Sequence, residues 1–275
     1  MPPSTLPYRD ASPAGTPAAV EAPAIAAIGA FQDNYIWLLH RGGRAVVVDP
    51  GDAAPVERAL AERGLHLESI LITHHHGDHV GGVKALVRQH GAQVWGPAAS
   101  AFDAIDTRVR EGDVVQVLGQ SLRVLETPGH TLDHIAYWCA GMGALFCGDT
   151  LFAGGCGRIF EGTAPQMFAS LAKLAALPGT ARVYCAHEYT LSNLRFAMAV
   201  EPDNVALQQR QRDCAALRTR GEPTVPSSMA LEQATNPFLR AHVEGVQAAA
   251  RRQRPGLAAD PAAVFAVLRA WKDGF

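Results

Sequence analysis

The chain has 275 residues, 48% of them hydrophobic and 18% charged, with a formal net charge of −2 and a pI near 6.6. These values suit a soluble globular enzyme of one large domain or two modest ones, and they give no electrostatic case for nucleic acid or an anionic membrane surface. With so little net charge, any anionic ligand must be held by a few local basic residues, and no stretch approaches the roughly 20 apolar residues of a membrane span.

The five cysteines (Cys139, Cys147, Cys156, Cys185 and Cys214) are odd in number and include no C-x-x-C. They argue against a disulfide framework and against a Cys-only zinc site, and they suit a reducing compartment. Residues 1–22 are rich in Pro, Ala, Ser and Thr and lack a basic start followed by an apolar block. They read as a flexible tail rather than a secretory signal, so a cytoplasmic location is expected.

Folded structure is expected from about Ile25. Residues 35–40 (YIWLLH) and 45–49 (AVVVD) read as strands joined through RGGR as a hairpin. Pro55 suits a first helical position, and 56–63 carries a helical pattern closed by Gly64. ESILIT (68–73) reads as a buried strand running straight into a histidine-rich loop, and 83–90 as a short helix stopped by Gly91. Strands are expected at 93–95, 114–118, 122–126, 135–139 and 144–147, then a glycine-rich loop at 154–157, a helix over 165–177 and a strand over 182–186. From Leu191 the pattern is helical almost to the end, with breaks at Pro202, 221–226, Pro237 and 254–256. The pattern predicts a mixed α/β layered domain over 23–188 and a small all-helical domain over 189–275.

Four of the eleven histidines fall in the run Thr73-His74-His75-His76-Gly77-Asp78-His79. Neutral imidazoles beside a carboxylate are natural ligands of zinc and similar ions. A solvated polar loop would explain neither the number of histidines nor their place directly after an apolar strand. His130, Asp149 and His187 repeat that placement, each just past a predicted strand, where α/β folds gather functional groups. Two sites follow: His74, His76 and His130 in one, Asp78, His79 and His187 in the other, with Asp149 bridging. His75 should point away from both. His134 reads equally as an orienting partner or as a buried hydrogen-bonded histidine. No G-x-S-x-G is present, and loop 154–157 lacks the G-K-[ST] of a phosphate loop.

THHHGDHVGG (73–82), TPGHT (127–131), GDTLF (148–152) and the region of His187 resemble the metallo-β-lactamase superfamily. DNYIWLL (33–39), AGGCGRIFEGT (153–163), AHEYTLSNLRFA (186–197), VEPDN (200–204), TVPS (224–227), NPFLR (236–240) and RAWKD (269–273) are similar to glyoxalase II, the hydroxyacylglutathione hydrolases. That resemblance implies an αββα metallo-β-lactamase-like sandwich followed by a small all-helical C-terminal domain. It implies a metal-bridging hydroxide attacking the thioester of S-D-lactoylglutathione, which yields D-lactate and glutathione. It carries over His74, His76, Asp78, His79, His130, Asp149 and His187 as metal ligands, with Asp78 and Asp149 also catalytic. Arg158, Tyr189, Arg269 and Lys272 carry over as substrate contacts. Some relatives have Lys where Arg158 stands and Tyr where Phe160 stands.

Without the resemblance, Arg269 and Lys272 would read as basic residues near a helix C-terminus, favoured by the dipole. Two divalent ions are expected, zinc first, with iron or manganese also accepted by the donor set. The expected partner is a small glutathione thioester, with no nucleic acid or membrane, and the chain is expected to be a monomer. A persulfide dioxygenase would need one iron on two histidines and a carboxylate, a non-catalytic relative would have lost ligands, and a β-lactamase or lactonase would leave the basic C-terminal pair without a purpose.

Overall fold

A computed structural model describes residues 23–275; the expected N-terminal tail, 1–22, lies outside the described residues. The first half runs β1 (Ala24–Ala30), β2 (Asn34–Arg41), β3 (Arg44–Val48), α1 (Ala53–Arg63), β4 (His66–Leu71), α2 (Gly77–Val80), α3 (Val83–His90), β5 (Gln93–Pro97) and β6 (Thr107–Val109). These six strands form one sheet in sequence order. β1, β2 and β3 are antiparallel, and β3 to β6 are parallel.

Side chains alternate across this sheet as a period of two demands. Ile36, Leu38, Ala45 and Val47 face one way and join a core with Val56 and Leu60 of α1 and Val83 and Leu86 of α3. Trp37, Leu39, Val46 and Val48 face the other way, into the core shared with the second sheet. Both faces are therefore buried, as the near-continuous apolar runs require.

The second sheet uses β7 (Val114–Val117), β8 (Gln120–Glu126), β9 (Ile135–Cys139) and β10 (Ala144–Gly148). After a small hairpin, β11 (Leu151–Phe152) with β12 (Gly155–Cys156), and the helix α4 (Ala164–Ala175), it gains β13 (Arg182–Cys185). The remainder is α5 (Thr190–Val200), α6 (Val205–Thr219), the short edge strand β14 (Ser227–Ser228), α7 (Met229–Thr235), α8 (Glu244–Gln253) and α9 (Pro261–Asp273). The order across the second sheet is β14-β13-β10-β9-β8-β7. Met167 and Leu171 of α4 share one core with Phe196 of α5, Phe238, Val246 of α8 and Phe265 and Leu268 of α9. The helical segment thus continues the sandwich core through these residues and adds a small cluster of its own, Leu194 and Ala197 of α5 with Leu207 and Cys214 of α6.

Helix ends follow their capping residues. α4 starts at a capping box of Thr163 and Gln166, α6 at Asn204 and α9 at Asp260, while α1 and α3 end at left-handed Gly64 and Gly91. α1 starts two residues before Pro55, because the Asp52 side chain accepts from the Ala54 amide and sets the first turn. The run around Asp78, expected as an irregular loop, closes one helical turn in α2. The glycine-rich loop folds as the hairpin β11–β12, and β1, β6 and β14 are strands without a clear sequence signal.

Candidate metal centre

The expected ligands stand past the C-terminal ends of β4, β8, β10 and β13. β10 and β13 are parallel, and β8 runs parallel to them through two antiparallel steps, so their ends share one edge. Asp49, just past β3, organises the entry to this edge. Its carboxylate accepts from the Thr73 amide and the Thr73 hydroxyl, both at 2.7 Å. Because that hydroxyl donates to Asp49, it accepts from His74 Nδ1 at 3.1 Å, which leaves the His74 Nε2 lone pair facing inward.

Backbone and carboxylate acceptors fix the other rings in the same way. His130 Nδ1 donates to the Arg158 carbonyl at 2.7 Å and His187 Nδ1 to Asp33 Oδ1 at 2.9 Å, so each turns Nε2 inward. His134 accepts from the Asp149 amide through Nε2 at 3.0 Å and contacts Thr127 and Thr150 through Nδ1. It orients Asp149 and is no ligand. His75 faces away, with Nδ1 2.9 Å from Asp133 Oδ1 and Nε2 3.3 Å from Glu161 Oε1.

The inward atoms form three groups, each with its ligand atoms within 4.8 Å of one another: His74, His76 and His130; Asp78, His79 and His187; and His74, His79 and Asp149. Asp149 spans the first two. Its Oδ2 lies 3.4 Å from His130 Nε2, while its Oδ1 lies 3.4 Å from His79 Nε2 and 3.5 Å from His187 Nε2. Among the described residues, His79 Nε2 and Asp149 Oδ1 are buried with no hydrogen-bond partner. Buried donors and acceptors left this way ordinarily serve an ion or another ligand. The seven residues therefore fit a pair of divalent cations.

Charge divides the cluster into two halves. Burial, helped by neighbouring imidazoles, pushes His74, His76 and His130 below the usual histidine range, so these rings are neutral. For His79 and His187, burial opposes the charged form but nearby carboxylates outweigh it. Asp149 and Asp49 raise His79 strongly, and hydrogen bonds to Asp149 and Asp78 push His187 up to about 10. The His187 hydrogen bond in turn holds Asp78 well below the usual carboxylate range. Protons on His79 and His187 balance here the carboxylates that would otherwise face a cation.

A cavity of about 740 Å³ opens over this centre. His76, Asp78, His130, Asp149 and His187 line it together with all four expected substrate contacts, Arg158, Tyr189, Arg269 and Lys272. The Tyr189 ring stacks on His187 at 4.6 Å and 8°, and Phe152 stands edge-on to both. Arg269 donates to the Cys156 carbonyl at 3.1 Å and to Asp273 Oδ1 at 3.0 Å, and the same oxygen lies 3.4 Å from Arg158 Nε. Lys272 sits over the Phe196 ring, and burial together with the Arg269 charge brings its pKa down to about 8. Phe160 is exposed at the rim, edge-on to His76 and His130.

Sequence reasoning missed Asp33, Asp49, Arg195 and Asp273. Asp49 obeys the strand-end rule that found the ligands. Asp273 is one helical turn beyond Arg269, and Arg195 is three residues beyond the cavity-lining Ser192 on α5.

Comparison with known proteins agrees with this picture. Residues 29–187 match the family model described as "Metallo-beta-lactamase superfamily", and residues 188–275 match "Hydroxyacylglutathione hydrolase C-terminus". A curated hydroxyacylglutathione hydrolase of Alkalilimnicola ehrlichii is 60% identical over 253 residues, covering 90% of this chain and 98% of that protein. The crystal structure of ETHE1 from Myxococcus xanthus superposes with a TM-score of 0.62 at 27% identity, over 90% of this chain and 98% of that one. TTHA1623 in a di-iron-bound form gives a TM-score of 0.55 at 26% identity, over 78% of this chain and 100% of that one. The fold, both family matches and the curated relative agree: this chain belongs to the hydroxyacylglutathione hydrolase family of the metallo-β-lactamase superfamily.

Proposed function

We propose that the protein is a glyoxalase II. It hydrolyses the thioester of S-D-lactoylglutathione, or a similar S-2-hydroxyacylglutathione, to D-lactate and glutathione, the second step of methylglyoxal detoxification, in the cytoplasm. One observation carries the reading. Asp149 directs its two oxygens to two separate histidine groups at a cavity that also holds four basic residues, Arg158, Arg195, Arg269 and Lys272.

His74, His76 and His130 would hold one divalent ion, Asp78, His79 and His187 a second, and Asp149 both. Zinc suits these donors, and the di-iron form of TTHA1623 makes iron the nearest alternative. When bound, such a pair supplies Lewis acidity at a carbonyl and a water ionised near neutral pH.

The rest is work for the chain's own residues. Glutathione carries two carboxylates and one ammonium, so it is an anion, and the four basic side chains supply the local positive field that a chain of net charge −2 lacks overall. Arg269, buried and hydrogen-bonded to Cys156, is a rigid element of that field, whereas Arg158 is exposed and able to close on the ligand. Tyr189, fixed by stacking on His187, places a hydroxyl at the cavity wall. Asp78 Oδ2, held by Asn34 Nδ2 at 3.0 Å, lines the cavity and would accept a hydrogen bond from the attacking water or hydroxide, orienting its lone pair toward the thioester carbon. The thiolate that leaves needs little acid assistance.

Hydrolysis of S-D-lactoylglutathione by purified metal-loaded protein, with metal content measured on the same sample, tests the reading. Rapid turnover with about two ions per chain is expected. Two bound ions without turnover would reject the substrate.

A further inference from the structure

The hairpin β11–β12 lies between Asp149 and Arg158 and has only two paired positions, Leu151 with Cys156 and Phe152 with Gly155. So short a ladder does not hold itself in place. Side chains of the helical segment take its other backbone groups. The Ala153 carbonyl accepts from Asn193 Nδ2 at 3.2 Å, the Gly154 amide donates to Glu232 Oε2 at 2.8 Å, and the Gly155 carbonyl accepts from Asn236 Nδ2 at 2.9 Å. Asn236 Nδ2 also reaches Glu232 Oε2 at 3.1 Å. The grip is close, because a Cβ on Gly155 would stand 2.5 Å from Asn193 Cγ.

Glu232 is fully buried, and its second oxygen is paired with Arg210 and accepts from the Ser227 hydroxyl. Arg210 is buried too, and donates to Thr235 Oγ1 at 2.7 Å. Neither residue lines the cavity. A buried ion pair contributes little net stability against an apolar pair of the same size, so stability alone does not account for it.

What this pair does is aim one carboxylate oxygen at the Gly154 amide. The hairpin so held presents Phe152 and Cys156 to the cavity, and directly beyond it the Arg158 carbonyl accepts from His130 Nδ1. We propose that Glu232 is a positioning residue: with Arg210 and Asn236 it clamps the hairpin 151–156 from the helical segment, and so sets the affinity of the cavity for the glutathione moiety. The inference rests on the cavity being a glutathione site.

Two double variants separate the clamp from the charge pair. R210M/E232Q removes both charges but keeps an acceptor for the Gly154 amide; R210M/E232M removes the acceptor as well. In R210M/E232M, KM for S-D-lactoylglutathione and Kd for the unreactive S-methylglutathione should rise about tenfold, the worth of one buried hydrogen bond, with kcat within about threefold of the parent. Amides 151–156 should exchange faster, while metal content stays at the parent level. R210M/E232Q should stay within about threefold of the parent in KM and Kd.

An unchanged Kd in R210M/E232M, or an equal rise in both variants, overturns the proposal. If R210M/E232M does not fold, Asn236→Ala, which unties Glu232 from the Gly155 carbonyl and leaves the ion pair intact, should give the same rise, and an unchanged Kd there overturns it. A parent that binds S-methylglutathione but turns over no thioester would sink the hydrolase reading alone. A parent that does not bind the probe sinks the clamp as well.

Discussion

Asp149 is fully enclosed except toward the cavity, takes its backbone orientation from His134 and faces protonated His79 and His187 across 3.4 and 3.5 Å. Asp149→Asn keeps the shape but removes the charge that both histidine groups share. Metal content should fall and hydrolysis should drop by more than the roughly 10- to 100-fold that losing an outer orienting partner costs. Full activity with both ions retained would show that Asp149 bridges nothing. Lys272 makes a second claim at this scale. Its pKa of about 8 lies below the usual lysine value, so the ammonium is nearly complete below about pH 7 and is lost as pH rises through about 8. KM for the anionic thioester should therefore increase above about pH 8, and Lys272→Arg, which stays charged, should flatten that increase. A parent KM that is level from pH 7 to 9 would remove Lys272 from ligand binding.

At the scale of elements, legibility followed apolar patterning. The strands before His74, His130, Asp149 and His187 carry buried apolar runs, so the ligands could be placed at their ends without any knowledge of the sheets. β1 was missed because AIAAIGA has few strongly β-forming residues; it is a strand because all seven of its residues pair with β2. The β11–β12 hairpin was missed for a different reason. Its order comes from side chains about 40 to 110 residues away, and no local signal carries that. Asp33 was invisible for the same cause, since its importance lies in a contact with His187 across 154 positions. The turn that leaves this hairpin has no room for a side chain. A Cβ on Gly157 would stand 1.9 Å from the Asp149 carbonyl oxygen and 3.2 Å from His130 Nδ1. Gly157→Ala should displace both expected ligands, with about 1–3 kcal/mol of lost stability in denaturant melts and a fall in metal content. A variant that keeps its metal and its stability would mean the turn has room that the geometry denies it.

Across the whole molecule, one core runs from between the two sheets through α4 into α5, α8 and α9, so the basic residues of α9 are carried on the same packed body as the metal-binding edge. Rigid packing of this kind fixes the distance from cationic wall to metal centre without a separate hinge. It also means that the charge state of the centre is a term in the stability of the whole chain. Without metal, Asp49, Asp78 and Asp149 rely on protons at His79 and His187, and two buried atoms, His79 Nε2 and Asp149 Oδ1, face each other at 3.4 Å without a hydrogen bond to any described residue. Bound cations would satisfy those atoms and displace the protons, and unfolding would scatter the seven expected ligands across 114 positions of sequence from His74 to His187. At free metal about a thousandfold above Kd, binding would stabilise the folded state by about 4 kcal/mol per ion, about 8 kcal/mol for two, which for a chain of this size corresponds to roughly 20 °C in Tm. Calorimetry before and after chelation should show a fall of that order, reversed by adding back zinc. An unchanged Tm with metal verified as lost would mean that the cluster is held by its own hydrogen bonds, and that the protonated histidines balance the carboxylates as well as cations do.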